Sequence, residues 1–258
     1  MKTKELKGRK YIISAAADGI GLSIAKKINE HGGIVYVTDV DEKKIKLINS
    51  QNKFKNKIFA SKLDSTNPNE VKNYFKSFKK IDGIINNVGI AGPTNYLKNI
   101  TIKDWKQTID TNLNSHFYFS KFAIPLLIKN NKGSIINISS TAGLFGFAQR
   151  SPYAASKWGI IGLTKTMAIE LGKNKIRVNA ICPGSVEGDR MNRVIKAKAK
   201  LIKSNPKKVK KELEYMVSLK SFVTKEDIAS MALFLLSDKS KNISGQIMTV
   251  DGNTERMI

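Results

Sequence analysis

The sequence predicts an α/β chain, a doubly wound parallel sheet of about seven strands with helices on both faces. Three observations predict it. Seven short apolar, β-branched runs recur along the 258 residues, stretches of helical periodicity separate them, and a glycine-containing turn follows the first run directly and opens a helix. No internal linker or low-complexity stretch interrupts the pattern, and the length suits one domain over 1–258 better than two.

The first strand candidate is KYIIS (10–14), followed by the turn SAAADGIG and the helix-periodic LSIAKKI. Gly19 and Gly21 suit a turn that offers backbone N–H groups and a positive helix end to a phosphate. A dinucleotide-binding turn ordinarily opens on glycine, because its first residue bends sharply with the ligand close by. Here Ala15 holds that place. His31, before Gly32-Gly33, reads as the end of this helix.

The second run, IVYVTD (34–39), finishes at Thr38-Asp39, about twenty residues past the turn, where a carboxylate can accept hydrogen bonds from an adenosine ribose. Such a carboxylate repels a 2′-phosphate, which makes Asp39 a signal for NAD. Asp18 reads equally as a second negative charge on that side or as a helix N-cap, and the two readings are compatible. The remaining runs are KIFASKLD (57–64), DGIINNVG (82–89), SIINISS (134–140), IRVNAIC (176–182) and QIMTVDG (246–252). Ligands of such sheets sit at the C-terminal ends of the strands, and every motif below falls at one.

After the fifth strand the chain reads NISSTAGLFGFAQRSPYAASKWGIIGLTKTMAIEL. Tyr153 and Lys157 are four apart in what reads as the first turns of a helix, so both point from one face. A tyrosine exchanges protons near neutral pH only if its pKa falls by about 2–3 units, worth about 3–4 kcal/mol, and a neighbouring ammonium supplies part of that. The spacing alone carries little, since about one Tyr-x-x-x-Lys arises by chance in a lysine-rich chain. Its company carries more: Asn86-Asn87-Val88-Gly89 ends one strand, Asn112 lies on the next helix, Ser139-Ser140 ends the following strand, and Pro183-Gly184 follows the one after.

In that order these residues resemble the short-chain dehydrogenase/reductase family, from Lys10 to about Gly252. The resemblance implies a single-domain Rossmann-type fold, and a nucleotide turn of the pattern Thr-Gly-x-x-x-Gly-x-Gly filled by Ser14, Ala15, Gly19, Ile20 and Gly21, with Ala15 the real departure. It implies Tyr153 as catalytic acid/base, Ser140 as the residue holding the substrate oxygen, Lys157 on the nicotinamide ribose, and Asn112 holding a water in a proton relay. It also implies Asp64 at the adenine, Asn87 and Gly89 beneath the cofactor, and Pro183, Gly184 and Val186 beside the nicotinamide. Where the family often has a threonine after this loop, the chain has Gly188. A homotetramer built from helix faces including 151–172 is implied as well. Ser139 is the alternative to Ser140, and strand alternation aims only one of the two at a site. Asn112 reads alternatively as a cap or kink, and the aromatic HFYFSKF stretch as a packing or subunit face.

Composition narrows the function classes. A net charge of +24 raises the question of nucleic acid, but only six residues are arginine, and lysine is spread over nearly every helix candidate, as a general lysine bias would spread it. No nucleic-acid partner is expected. MKTKELKGRKYIIS has no apolar leader core and no segment holds 18 uninterrupted apolar residues, so a cytoplasmic chain with no membrane partner is expected. Cys182 alone excludes an intrachain disulfide and reads as a small buried apolar residue. Two histidines and one cysteine without ligand spacing argue against a catalytic metal, and neither histidine stands in a catalytic motif.

The segment near 188–222 is the least regular and is expected to cover a small-molecule substrate. Its eight lysines between Lys196 and Lys211 read as a solvated helical face. Arg150, Arg190 and Arg193 fall close to Tyr153 and the nicotinamide loop, and arginine's planar fork suits an anionic group. They bind an anionic hydroxy or oxo substrate, or else pair with Glu187, Asp189 or a neighbouring subunit. The function expected is hydride transfer between NAD and a secondary alcohol or ketone, a small anion or a sugar/polyol. The competing readings are a 3-oxoacyl-carrier-protein reductase, which usually prefers NADPH, and a non-catalytic nucleotide- or nucleic-acid-binding regulator, for which no tuned tyrosine is needed.

Overall fold

The computed structural model describes residues 5–50 and 58–256. Seven strands among them form one parallel sheet: β1 (Lys10–Ile13), β2 (Ile34–Asp39), β3 (Ile58–Lys62), β4 (Gly83–Asn86), β5 (Gly133–Ile138), β6 (Ile176–Pro183) and β7 (Ile247–Val250). Every candidate run contributes one strand. Lys57, the start of the third run, and residues 1–4 of the amino-terminal stretch lie outside the described residues. The strands are shorter than several of the runs because 87–89 and Ser139-Ser140 leave the ladder to build loops at the sheet's C-terminal edge.

The sheet order is β3-β2-β1-β4-β5-β6-β7, so the winding reverses between β1 and β4 and opens a crevice there. Alternation on the strands divides the core. Ile13, Ile85, Ile136 and Ile181 face Ile24 and Ile28 of α1 (Gly19–Glu30) and Ile228 and Leu235 of α9 (Lys225–Leu236). On the opposite face, Ile12, Ile84, Ile135 and Val178 pack with Phe75 of α3 (Pro68–Lys76), Phe119 and Leu127 of α5 (Ser115–Lys129), and Met167 of α6 (Ser151–Leu171). Burial on both faces explains why the strands read as continuous apolar runs.

Polar residues pin the central register. Asn86 and Asn137 are paired across β4 and β5, where Asn86 Nδ2 donates to Asn137 Oδ1 at 2.7 Å and to Ser120 Oγ at 2.9 Å. Asn137 Nδ2 donates in turn to Thr164 Oγ1 of α6 at 2.8 Å. A one-residue slip would bury these amides without partners, so the chain fixes the height at which α6 meets the sheet edge. The HFYFSKF stretch lies in α5: Phe119 stacks edge-on to Phe75 at 4.9 Å, whereas Phe117 is exposed.

Beyond β6, α7 (Asp189–Leu201) and α8 (Pro206–Tyr215) form a small separate packing of Ile195, Ala199, Val209 and Phe222. Seven of the eight lysines between Lys196 and Lys211 are exposed, but Lys198 is turned inward and only 6% exposed. The reading of that run as a solvated face fails at this one residue, because α7 buries two faces, one on α8 and one on the cavity described next. Among the described residues no helix is long and apolar enough to cross a membrane.

Candidate active site

One open cavity of about 640 Å³ runs along the C-terminal ends of β1, β4, β5 and β6. Its first wall is the turn after β1. Ser14 holds this turn in place: its hydroxyl donates weakly to Ile85 O at 3.5 Å and accepts from the Asn87 N–H at 3.0 Å. Asn87 Nδ2 reaches back to Ala15 O at 2.8 Å and Ser14 O at 3.3 Å. Ser14 and Gly21 stand behind the wall, while Ala15, Asp18, Gly19, Ile20, Asn87 and Gly89 line it.

The glycines differ in purpose. Gly19 takes φ +57° with open space where a Cβ would project, so it adds no side chain at the α1 amino-terminus. At Gly21 a Cβ would stand 2.7 Å from Ala16 Cα and 2.7 Å from Asn87 Nδ2, so glycine is needed for the close approach of α1 to the β4 turn. Ala15 takes φ +49°, a left-handed conformation in which its Cβ is strained. These residues fit the diphosphate of a dinucleotide, with the helix end turned to the cavity and only its first N–H, that of Gly19, capped by Asp18.

Asp39 ends β2 with both carboxylate oxygens engaged, accepting from the N–H groups of Ala17 and Asp41, each at 3.1 Å. Asp18 caps α1 by accepting from Gly19 N–H at 2.6 Å and also pairs with Lys44 at 2.7 Å. Lys44 and that backbone bond hold the Asp18 carboxyl below its ordinary pKa. Asp18 is therefore the N-cap of α1, one of its two expected readings, and its negative charge is met by Lys44. Asp64 does not line the cavity; its Oδ1 accepts from Thr66 N–H at 2.8 Å and Thr66 Oγ1 at 2.7 Å.

The far wall carries the polar side chains of the fifth strand and α6. Ser139 Oγ donates to Lys157 O at 2.9 Å, which ties β5 to α6 and commits that hydroxyl. Ser140 Oγ accepts from Ala142 N–H at 3.2 Å, keeps its own proton to give, and is the serine near the Tyr153 phenol. Lys157 Nζ donates to Ile138 O at 2.9 Å and lies 5.7 Å from the centre of the Tyr153 ring. Burial pulls the Lys157 ammonium down to about 8. Burial alone would raise the Tyr153 phenol, but Lys157, Arg190, Ser140 and Arg150 outweigh it and hold its pKa below the usual 10. A phenol beside a hydroxyl donor and an ammonium can give or take the proton of an alcohol oxygen.

Asn112, read from the resemblance as holding a water in a proton relay and alternatively as a cap or kink, lies at an irregular turn between two helices. It sits in a π-helical turn, Asp110–Asn114, between α4 (Ile102–Ile109) and α5, fully buried and outside the cavity lining. Its Oδ1 accepts from Ile90 N–H at 2.7 Å, and its Nδ2 donates to Ile90 O at 3.1 Å and Ser156 Oγ at 3.0 Å. Both amide protons are committed to fastening the loop after Gly89 to α6.

Pro183, Gly184 and Val186 line the cavity after β6, and a Cβ on Gly184 would stand 2.8 Å from Asp251 Cβ. Gly188 at φ +130° turns the chain into α7, which brings Arg190, Arg193 and Lys198 to the cavity from one side. Neither Arg190 nor Arg193 forms an ion pair with Glu187 or Asp189 among the described residues. Lys44, Lys198 and Lys225 also line the cavity. Sequence reasoning missed them because each reads as one more lysine on a helix in a chain full of them. Cys182 is buried, and no cluster of three or more His, Cys, Asp or Glu residues among those described could hold a metal ion. His31 ends α1, and His116 is buried against Val88 O at 3.1 Å with its pKa driven down by burial to about 3; neither lines the cavity.

A family model described as Enoyl-(Acyl carrier protein) reductase matches residues 15–253. A 3-oxoacyl-(acyl-carrier-protein) reductase of Thermotoga maritima is 31% identical over 252 residues, 96% of this chain and 98% of the relative. Another, from Buchnera aphidicola, is 34% identical over 246 residues, 93% of this chain and 95% of its own. Among solved structures, NAD+-bound xylitol dehydrogenase superimposes with a TM-score of 0.92 at 26% identity, covering 96% of this chain and all of that one. Actinorhodin polyketide ketoreductase with NADPH, at 24% identity and a TM-score of 0.91 over 99% of both chains, shares the fold.

Proposed function

The chain belongs to the short-chain dehydrogenase/reductase family, and from that premise we propose that it is an NAD-dependent oxidoreductase interconverting a secondary alcohol and a ketone. The observation that carries this reading is the convergence of Ser140, Tyr153 and Lys157 on the same cavity as the amino-terminus of α1. Bound nicotinamide supplies the hydride acceptor or donor. The side chains hold the substrate and move its proton.

Ser140 donates a hydrogen bond to the substrate oxygen and fixes it beside the Tyr153 phenol. In oxidation the Tyr153 phenolate takes the hydroxyl proton; in reduction the phenol returns it. Lys157 stabilises the phenolate and holds the nicotinamide ribose, with Pro183, Gly184 and Val186 flanking the ring. Gly19, Ile20 and the α1 amino-terminus hold the diphosphate, and Asn87 and Gly89 support the cofactor from beneath; an adenine contact by Asp64, which lies outside the cavity lining, rests on the family resemblance alone. Asn112 acts as a positioning residue through Ile90 and Ser156, and any proton relay at this turn uses acceptor capacity that its amide protons leave open. The whole chain works as one domain, with 188–222 covering the substrate. Replacing Tyr153 by Phe removes the exchangeable proton at little steric cost. Activity should fall to under about 1% of wild type, in keeping with an acid/base contribution of about 100-fold or more, with NADH binding retained. Residual turnover above a few per cent would refute the assignment.

NAD is favoured by Asp39 at the end of β2, a carboxylate of the kind that repels a 2′-phosphate, and by the likeness to NAD+-bound xylitol dehydrogenase. A second reading, 3-oxoacyl-carrier-protein reductase, is favoured by the named relatives and by the basic surface of the chain. NADPH-driven reduction of a 3-oxoacyl thioester, with no NAD-linked oxidation of simple alcohols, would replace the first reading by the second.

A further inference from the structure

The residue immediately before α6 is a deeply buried cation of the cavity with no carboxylate beside it among the described residues. Gln149, at φ +64°, bends the chain so that Arg150 enters the cavity wall, where it is only 3% exposed. Its guanidinium carbon lies 5.5 Å from the centre of the Phe147 ring and 5.1 Å from that of Tyr153. One Nη donates to Ala91 O at 2.5 Å and the other reaches Thr94 Oγ1 at only 3.5 Å, while Nε is buried without a hydrogen-bond partner. No aspartate or glutamate stands within ion-pair distance of it among the described residues.

The surroundings compound the excess of positive charge. Lys198 of α7, buried to 6% exposure, lines the same cavity; burial lowers its pKa, Glu212 acts against that, and Arg150 adds a smaller like-charge effect. Arg190 acts on Arg150 in the same sense. The acidic residues of the lining, Asp18, Glu187 and Asp189, are all exposed, and Asp18 is already paired with Lys44. A buried guanidinium is costly unless an anion meets it, and a fork of Nε–H and Nη–H is shaped for both oxygens of a carboxylate.

The geometry points to a substrate that carries a carboxylate, a short hydroxy or oxo acid whose acid group is held by Arg150 with Lys198 behind it while its alcohol or ketone oxygen meets Ser140 and Tyr153. This rests on the hydride-transfer reading above and deepens it. Arg150 is the residue that touches the acid; Arg190 and Arg193, exposed on the first turns of α7, draw the anion toward the mouth.

The test compares short hydroxy acids with their carboxamides under NAD, in wild type, Arg150→Gln and Arg150→Lys. Wild type should prefer an acid over its amide about tenfold or more in kcat/KM, the worth of a charge-assisted hydrogen bond. Arg150→Gln should bring that ratio to about one, chiefly through KM for the acid, and Arg150→Lys should restore part of it. The ratio is insensitive to any loss common to both substrates, and NADH fluorescence titration verifies that each variant retains its cofactor site. Equal handling of acid and amide by wild type, or an unchanged ratio in Arg150→Gln, overturns the proposal. Calorimetry with malonate and NADH separates the two readings. Binding by wild type that Arg150→Gln abolishes, in a protein that oxidises no alcohol, supports the anion site and sinks the hydride-transfer reading. Absence of malonate binding together with turnover of neutral alcohols sinks the anion site alone.

Discussion

At the residue scale, Ala15 stands where the family turn carries glycine, and the backbone has not changed shape to suit it. It keeps the left-handed φ of +49° that glycine adopts freely. The strain is about 1–2 kcal/mol, against about 0.4–1 kcal/mol of unfolded-chain entropy that glycine would add. Ala15→Gly should therefore raise the unfolding free energy slightly, by no more than about 1.6 kcal/mol, and the urea midpoint with it at unchanged m-value, whereas Ala15→Val should lower both, since a β-branched side chain tolerates this region least. A lower midpoint for the glycine variant would show that the turn is not strained. Tyr153 gives a second residue-scale prediction. Oxidation requires the phenolate and so rises with pH through the Tyr153 pKa, while reduction requires the phenol and falls over the same range. Arg190 is among the charges that hold this pKa below 10. Arg190→Gln should shift the rising limb of oxidation toward higher pH; a shift toward lower pH in the kcat/KM profile would contradict the assignment of the base.

At the scale of elements, the site is made by where helices begin. α1 must approach β4 closely enough for Asn87 to bond the carbonyls of Ser14 and Ala15. A methyl at Gly21 would meet Ala16 Cα, Ala15 O and the Asn87 amide within 2.8 Å. Backbone cannot yield as a flexible side chain can, so Gly21→Ala should cost about 1–3 kcal/mol of stability and weaken NADH binding at the same time. Loss of stability with an unchanged NADH dissociation constant would separate α1 from the cofactor site. This is also the scale at which the sequence was most legible. Apolar runs marked all seven strands, while Ser139 and Ser140 lie just past the end of β5 and both line the cavity, the Ser139 hydroxyl being committed to Lys157 O of α6. The π turn at Asn112 was illegible because nothing in DTNLN distinguishes one extra residue per turn from an ordinary helix. Nor could spacing reveal that Lys198 turns inward or that Lys44 neutralises Asp18, since both depend on how α7 and α2 (Glu42–Ser50) lie against other parts of the chain.

At the scale of the whole molecule, two surface properties oppose each other. The outward face of α6 presents Trp158 at 51% and Ile169 at 84% exposure, three turns apart on one side, with Gly162 open between them. Neighbouring α4 adds Ile102 and Trp105. Such a stripe on the back of the catalytic helix favours burial against a second copy, as the resemblance to a homotetrameric family implies. The net charge of +24 resists it, because every copy added brings like charges together. Apolar contact is insensitive to modest salt, whereas the repulsion is screened beyond about 8–10 Å at physiological ionic strength. Assembly should therefore tighten as salt is raised, the reverse of a complex held by ion pairs. Light scattering should give four chains per particle at moderate salt and a shift toward smaller species on dilution into low salt, and Trp158→Glu with Ile169→Glu should give smaller species at every salt concentration. A particle of one chain under all conditions would leave the stripe to another role, and dissociation on adding salt would mean that the interface is polar and lies elsewhere.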